Sequence, residues 1–173
     1  MDTSAEDVCG MIDLNCKALV RLTQLTVPYM KPGSHIVELD SLSAFQPVPY
    51  INVYAASKAF VLSFSRALGA ELKSAGIKVM ALCPGWVKTE FFNHAFQTNG
   101  GNEVQYFDRL YEARDVVATG LHDLYKTKKD VSIHGAPVRR QVRLVKLLPH
   151  SLVMKVWLNQ QKKARNNQNL TTK

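Results

Sequence analysis

Tyr54 and Lys58 stand four positions apart in the run Tyr54-Ala-Ala-Ser-Lys58-Ala59. On a helix with a pitch of about 5.4 Å, that spacing puts the two side chains on one face, one above the other. A free phenol has a pKa of about 10 and is a poor base at neutral pH. A nearby ammonium favours the phenolate, which would make Tyr54 a usable general acid or base. Ser41 lies thirteen residues earlier and offers a hydroxyl to a substrate carbonyl. Pro84-Gly85-Trp86-Val87-Lys88-Thr89 adds backbone groups and a threonine hydroxyl. A Tyr/Lys pair alone is equally an ordinary helix surface, so its meaning depends on what positions it.

The positioning elements are legible from periodicity. Val8, Met11, Ile12, Leu14, Ala18, Leu19, Leu22 and Leu25 recur at helical spacing and predict an amphipathic helix from about Ala5 to Tyr29, ending near Pro28. Pro32-Gly33 turns the chain, and His35-Ile-Val-Glu-Leu39 reads as a strand. Residues 41–52 read as a loop, followed by a helix at about Val53–Ser74 with Asn52 as its cap and Gly76 as its stop. The apolar run Ile77–Cys83 suits a strand covered on both faces. A further helix fits Glu112–Lys126, and Val131–Ile133 a last short strand. Strands alternating with helices predict an α/β fold with a parallel sheet and helices on both faces. In such a sheet the carboxyl ends of the strands open onto the ligand crevice, which is where Ser41 and Pro84-Gly85 fall.

Taken together, Asn15, Ser41, Tyr54, Lys58 and Cys83-Pro-Gly-Trp-Val-Lys-Thr-Glu90 resemble the second half of a short-chain dehydrogenase/reductase, over about residues 5–135. The resemblance implies a Rossmann-like sheet, NAD or NADP as cofactor, and carbonyl/alcohol interconversion on a small molecule. It implies four catalytic positions. Tyr54 is the proton donor or acceptor, and Lys58 lowers its pKa and bonds the nicotinamide ribose. Ser41 orients the carbonyl, and Asn15 holds a water of the proton relay. Pro84, Gly85, Val87 and Thr89 would lie with Tyr54 and Lys58 along the nicotinamide, and residues 90–110 would form a substrate lid. In that lid Phe91, Phe92, Phe96 and Phe107 are expected to pack. The family is expected to form homo-oligomers, with the helices at 5–29 and 53–74 as subunit contacts.

One departure matters. The family begins with a strand, a glycine-rich turn and a helix whose N–H groups receive the pyrophosphate. Before Tyr54 the only glycines here are Gly10 and Gly33. By resemblance the first four strands and three helices are expected to be absent, truncating the sheet to its C-terminal strands. The strand at 35–39 would then be an open apolar edge. Tested alone, the chain is expected neither to bind NAD(H) or NADP(H) at sub-millimolar levels nor to turn over a carbonyl. The alternatives are an inactive fragment that pairs with another chain and a peripheral membrane module.

The remaining composition narrows the classes. The 173 residues are 46% apolar and 21% charged, which excludes collagenous and disordered chains. No apolar run approaches the ~20 residues of a spanning helix. Three cysteines without ligand spacing predict free thiols and a reducing, cytoplasmic setting. The five histidines lack metal-ligand spacing, so no metal is expected. Of the net charge of +8, residues 126–173 hold twelve Lys/Arg against Asp130 alone. This divides the chain into a body, 1–135, and a basic amphipathic tail, 136–173, whose polar end from Lys162 is expected to be disordered. Between Arg139 and Arg165 the tail interleaves cations with leucines, valines and Trp157. Such a segment lies on an anionic membrane surface or packs its apolar face on the domain. Without a reader motif, nucleic acid is not an expected partner.

Overall fold

The computed structural model describes residues 4–90, 104, 106, 107 and 109–171, with side chains described as far as residue 167. Phe91, Phe92 and Phe96, and with them most of the expected lid, lie outside the described residues.

The first helical stretch opens at Ser4, whose hydroxyl accepts from the Asp7 N–H, with Glu6 and Asp7 favourably placed in the first turn. It comprises α1 (Ala5–Ile12), a π-helical segment (Asp13–Ala18), α2 (Leu19–Thr26) and a closing 3-10 turn (Val27–Tyr29). A π segment is wider than an α turn and shifts the phase of everything after it. Leu14, Leu22 and Leu25, part of the periodic stripe in sequence, are exposed. Thr23 is buried instead and donates to Glu38 Oε1 at 3.0 Å.

Strand β1 (His35–Leu39) is followed by a 3-10 turn at Leu42–Phe45 and then α3 (Asn52–Glu71). The helix is capped at Ile51 with no side-chain bond, so Asn52 is its first residue rather than its cap. The entry is set by a tight turn in which Tyr50 takes φ 76°, an uncommon conformation for a bulky side chain. Next come β2 (Lys78–Leu82), β3 (Trp86–Lys88), β4 (Leu110–Glu112), α4 (Ala113–Lys126), β5 (Val131–Ser132), α5 (Ala136–Val145) and α6 (His150–Thr171). The main sheet is parallel in the order β1-β2-β5, with Leu39 opposite Leu82 and Leu82 opposite Ser132. β3 and β4 form a separate parallel pair, Trp86 opposite Leu110.

Both faces of β2 are covered, as alternation requires. Ala81 and Cys83 cluster with Leu62 of α3, and Gly69 of α3 lies against Val79. The opposite face meets α4, where Gly120 lies against Leu82. Lys78 donates to the carbonyls of Asp123, Leu124 and Thr127, which closes the C-terminal end of α4. On β1, Val37 and Leu39 are exposed, and among the described residues β1 is an edge strand.

The tail packs its inner stripe on this body. Val138, Val142, Val145 and Val153 are buried. Trp157 Nε1 donates to the Pro49 carbonyl at 3.1 Å, and the Arg165 guanidinium lies 5.0 Å from the Tyr50 ring centre. Gln161 Oε1 accepts from the Tyr106 N–H. Residues 157, 161 and 165 are one helical stripe, so a single face of α6 braces the strained entry to α3. The helix runs on through Lys162 to Thr171, where the polar composition predicts a disordered end.

Candidate active site

Three successive residues at the carboxyl end of β1 meet three groups that the chain brings from elsewhere. The Leu39 carbonyl accepts from Lys58 Nζ at 2.9 Å. Asp40 Oδ2 accepts from the Cys83 thiol at 3.4 Å. Ser41 shares a side-chain hydrogen bond with the Tyr54 phenol. The edges are aligned by backbone bonds that extend the β1–β2 pairing, Asp40 N to Leu82 O at 2.8 Å and Leu42 N to Pro84 O at 2.9 Å. Ser41 and Pro84-Gly85 are therefore neighbours at the same sheet edge.

Ser41 is held in a fixed orientation. Its oxygen accepts from the Ser43 N–H at 3.2 Å and from the Ser43 hydroxyl at 3.0 Å. Those two bonds occupy its acceptor sites and direct its own proton toward Tyr54. The sequence reading passes over Ser43, although a serine two residues on is the usual partner in such a turn.

Asn15 lies in the π-helical segment, and its Nδ2 donates to Ser57 Oγ at 3.0 Å. Ser57 in turn donates to the Tyr54 carbonyl at 2.8 Å. This links the first helix to the backbone that carries the phenol. The side chain of Asn15 thus reaches Tyr54 through Ser57. π segments of this kind recur at functional sites.

Burial and charge together set the protonation of the Tyr54–Lys58 pair. Lys58 Nζ is 5.8 Å from the Tyr54 ring centre and bonds the Leu39 carbonyl. Burial raises the Tyr54 pKa above its ordinary value, the Ser41 bond lowers it in part, and the Asp40 charge raises it further. Burial lowers the Lys58 pKa in its turn, against the pull of Asp40. Tyr54 therefore holds its proton at neutral pH, with desolvation the largest cause.

Asp40 is 3% exposed, and its Oδ1 has no hydrogen-bond partner among the described residues. Burial pushes its carboxyl up to about 7, against the opposing effects of Cys83, the Ser41 N–H and Lys58. Burial likewise pushes the Cys83 thiol up, with the Asp40 charge adding to it. Sequence reasoning missed Asp40. The available signal was a carboxylate directly before Ser41, at a strand end in an apolar setting.

Among the cofactor candidates, Val87 is half-buried on β3 and Thr89 is exposed just beyond it. Trp86 packs edge-to-face on Phe107 at 4.9 Å. A Cβ at Gly85 would meet Leu42 Cδ1 at 3.2 Å, so that glycine serves the close approach of two loops. Lys58 carries two more N–H donors than the Leu39 bond uses. These residues fit the nicotinamide end of a dinucleotide, and the described residues contain no glycine-rich turn for its pyrophosphate. No group of acidic, His or Cys side chains among the described residues could hold a metal ion.

A parallel α/β sheet with Ser, Tyr and Lys converging on its carboxyl edge is an arrangement of the Rossmann type. The short chain dehydrogenase family model matches residues 1–100, and the chain belongs to that family. It is 39% identical over 126 residues to sulfoacetaldehyde reductase 2 of Chromohalobacter salexigens, covering 71% of this chain and 48% of that protein. It is 35% identical over 100 residues to the uncharacterized oxidoreductase YghA of Escherichia coli, covering 58% of this chain and 32% of that protein. The chain spans 32% and 48% of the length of these two curated relatives. Among solved structures, a short-chain dehydrogenase from Sphingobium yanoikuyae in complex with NADPH superposes with a TM-score of 0.65 at 27% identity, over 84% of this chain and 56% of that one. A short chain dehydrogenase from Burkholderia cenocepacia in complex with NADP shares the fold, with a TM-score of 0.73 at 18% identity, over 90% of this chain and 62% of that one.

Proposed function

We propose that this chain carries the catalytic half of an NAD(P)-dependent oxidoreductase that interconverts a small-molecule carbonyl and its alcohol. The observation that carries this reading is the Tyr54–Ser41 hydrogen bond at the sheet edge, with Lys58 buried beside it. When bound, the nicotinamide would supply or accept the hydride. Tyr54 donates its phenolic proton to the carbonyl oxygen in reduction and takes it back in the reverse direction. Ser41, oriented by Ser43, hydrogen-bonds the same oxygen and places the carbonyl carbon against the nicotinamide face. Lys58 turns its remaining donors to the ribose hydroxyls, and its charge stabilises the phenolate left after transfer. Asn15 sets the Tyr54 backbone through Ser57 and lies where the relay water would enter. Val87, Thr89, Pro84 and Gly85 line the carboxamide side. The NADPH-bound relative supports a nicotinamide ligand.

Nicotinamide mononucleotide, the part of the cofactor that these residues face, tests the reading. Amide chemical shifts of Tyr54, Lys58, Val87 and Thr89 are expected to move with a millimolar-range dissociation constant, and Lys58→Met is expected to abolish the change. Shifts elsewhere only, or shifts indifferent to Lys58→Met, would falsify it.

A homo-oligomer rests on a separate observation. Val37 and Leu39 on the open β1 edge, with Leu14 and Leu22 on the neighbouring helices, are exposed. Such an edge is a template for a second copy.

A further inference from the structure

Residues 131–173 hold nine Lys/Arg and not one Asp or Glu. The inner stripes of α5 and α6 are taken up by the body of the protein. Their outer faces have a different character. On α5 and the turn after it, Arg140, Arg143, Leu144 and Leu147 recur every three or four residues and all are exposed. Leu147 is 83% exposed and Leu144 58%. On α6, Leu152, Lys155 and Val156 repeat the arrangement. A surface helix that faces water only is expected to be polar on that side. Here leucines stand among cations with no carboxylate to pair them.

The two properties together select a partner. Cations alone would be satisfied by any polyanion, nucleic acid included. Leucines set between them need an apolar layer beneath the anionic one, which is what a bilayer interface offers. No described helix is long and apolar enough to cross a membrane, so the contact is interfacial. We propose that the outer faces of α5 and α6 dock on an anionic lipid surface, with Arg140, Arg143 and Lys155 at the headgroups and Leu144, Leu147 and Leu152 in the apolar layer. The inner face of α6 braces the loop that leads into α3, so docking holds the Tyr54 edge of the sheet at a fixed attitude to the lipid.

Co-sedimentation of the full chain with vesicles tests this. Vesicles of phosphatidylcholine mixed with phosphatidylserine are expected to pellet it at about 0.15 M salt, where charges reach about 8 Å, and less at high salt. Phosphatidylcholine alone is not. Arg140→Gln/Arg143→Gln is expected to weaken partitioning about twenty-five-fold, about five-fold for each charge. Leu147→Ser is expected to weaken it about tenfold or more. Both variants change exposed side chains, and a wild-type circular dichroism spectrum is the control. The wild-type dependence on lipid charge decides the matter should either variant misfold. No pelleting with anionic vesicles, or equal pelleting with neutral ones, overturns the proposal. Binding to vesicles and duplex DNA alike, indifferent to Leu147→Ser, overturns it in favour of plain polyanion binding. A lipid-indifferent dimer that Leu147→Ser dissociates overturns it in favour of a second copy.

Discussion

Asp40 is the residue whose behaviour departs furthest from its type. Its folded pKa of about 7 lies above the unfolded value near 3.8, so the native state holds the extra proton between those limits. Stability from this group is therefore highest at low pH and falls as pH rises through that window, the reverse of a salt-bridged carboxylate. Urea unfolding of wild type against Asp40→Asn is expected to diverge from pH 4 to 7, the wild type losing on the order of 2–4 kcal/mol relative to the variant. Parallel stability profiles would contradict the burial argument. At the same scale, Ser43→Ala removes the hydroxyl bond to Ser41 and leaves only the backbone N–H to orient it. It is expected to broaden or shift the Ser41 and Tyr54 resonances while costing about 1 kcal/mol of stability. The Tyr/Lys/Ser set itself was legible, since it is written in local spacing. Its protonation was not: the spacing of Tyr54 and Lys58 implies coupling, whereas burial decides which proton stays.

At the scale of elements, α6 meets the loop before α3 through Trp157 and Arg165. Trp157→Ala removes an indole N–H bond to Pro49 and part of the packing around Tyr50, and is expected to cost about 2–3 kcal/mol. Hydrogen exchange is the discriminating readout, with faster exchange at residues 48–52 and little change in β2. Uniform acceleration would make Trp157 a general core residue instead. Strand β1 and the span of the first helix follow the apolar pattern closely. The π-helical segment leaves no periodic mark of its own, and Leu14 and Leu22 of the predicted stripe are exposed. The β3–β4 pair was equally hidden, because Trp86 meets Leu110 across more than twenty residues that local reading cannot bridge. Gln161 is polar yet buried, because its side chain accepts from the Tyr106 N–H, a contact that tail composition does not reveal.

For the whole molecule, the open β1 edge and the dinucleotide question are one issue. A parallel strand laid beside β1 would cover Val37 and Leu39 and complete the crevice above Ser41. Val37→Lys places a charge on that edge and is expected to shift any oligomer seen by light scattering toward monomer without changing the circular dichroism spectrum. An unchanged oligomer would place the contact elsewhere.

The most direct measurement of the central claim is single-turnover deuteride transfer from deuterated NADPH to an aldehyde, using this chain fused behind the glycine-rich half of a homologous reductase. Wild type is expected to yield deuterated alcohol, and Tyr54→Phe to be slower by at least about 100-fold at equal NADPH binding. A fusion that binds NADPH and reduces the aldehyde equally fast with phenylalanine at position 54 would contradict it.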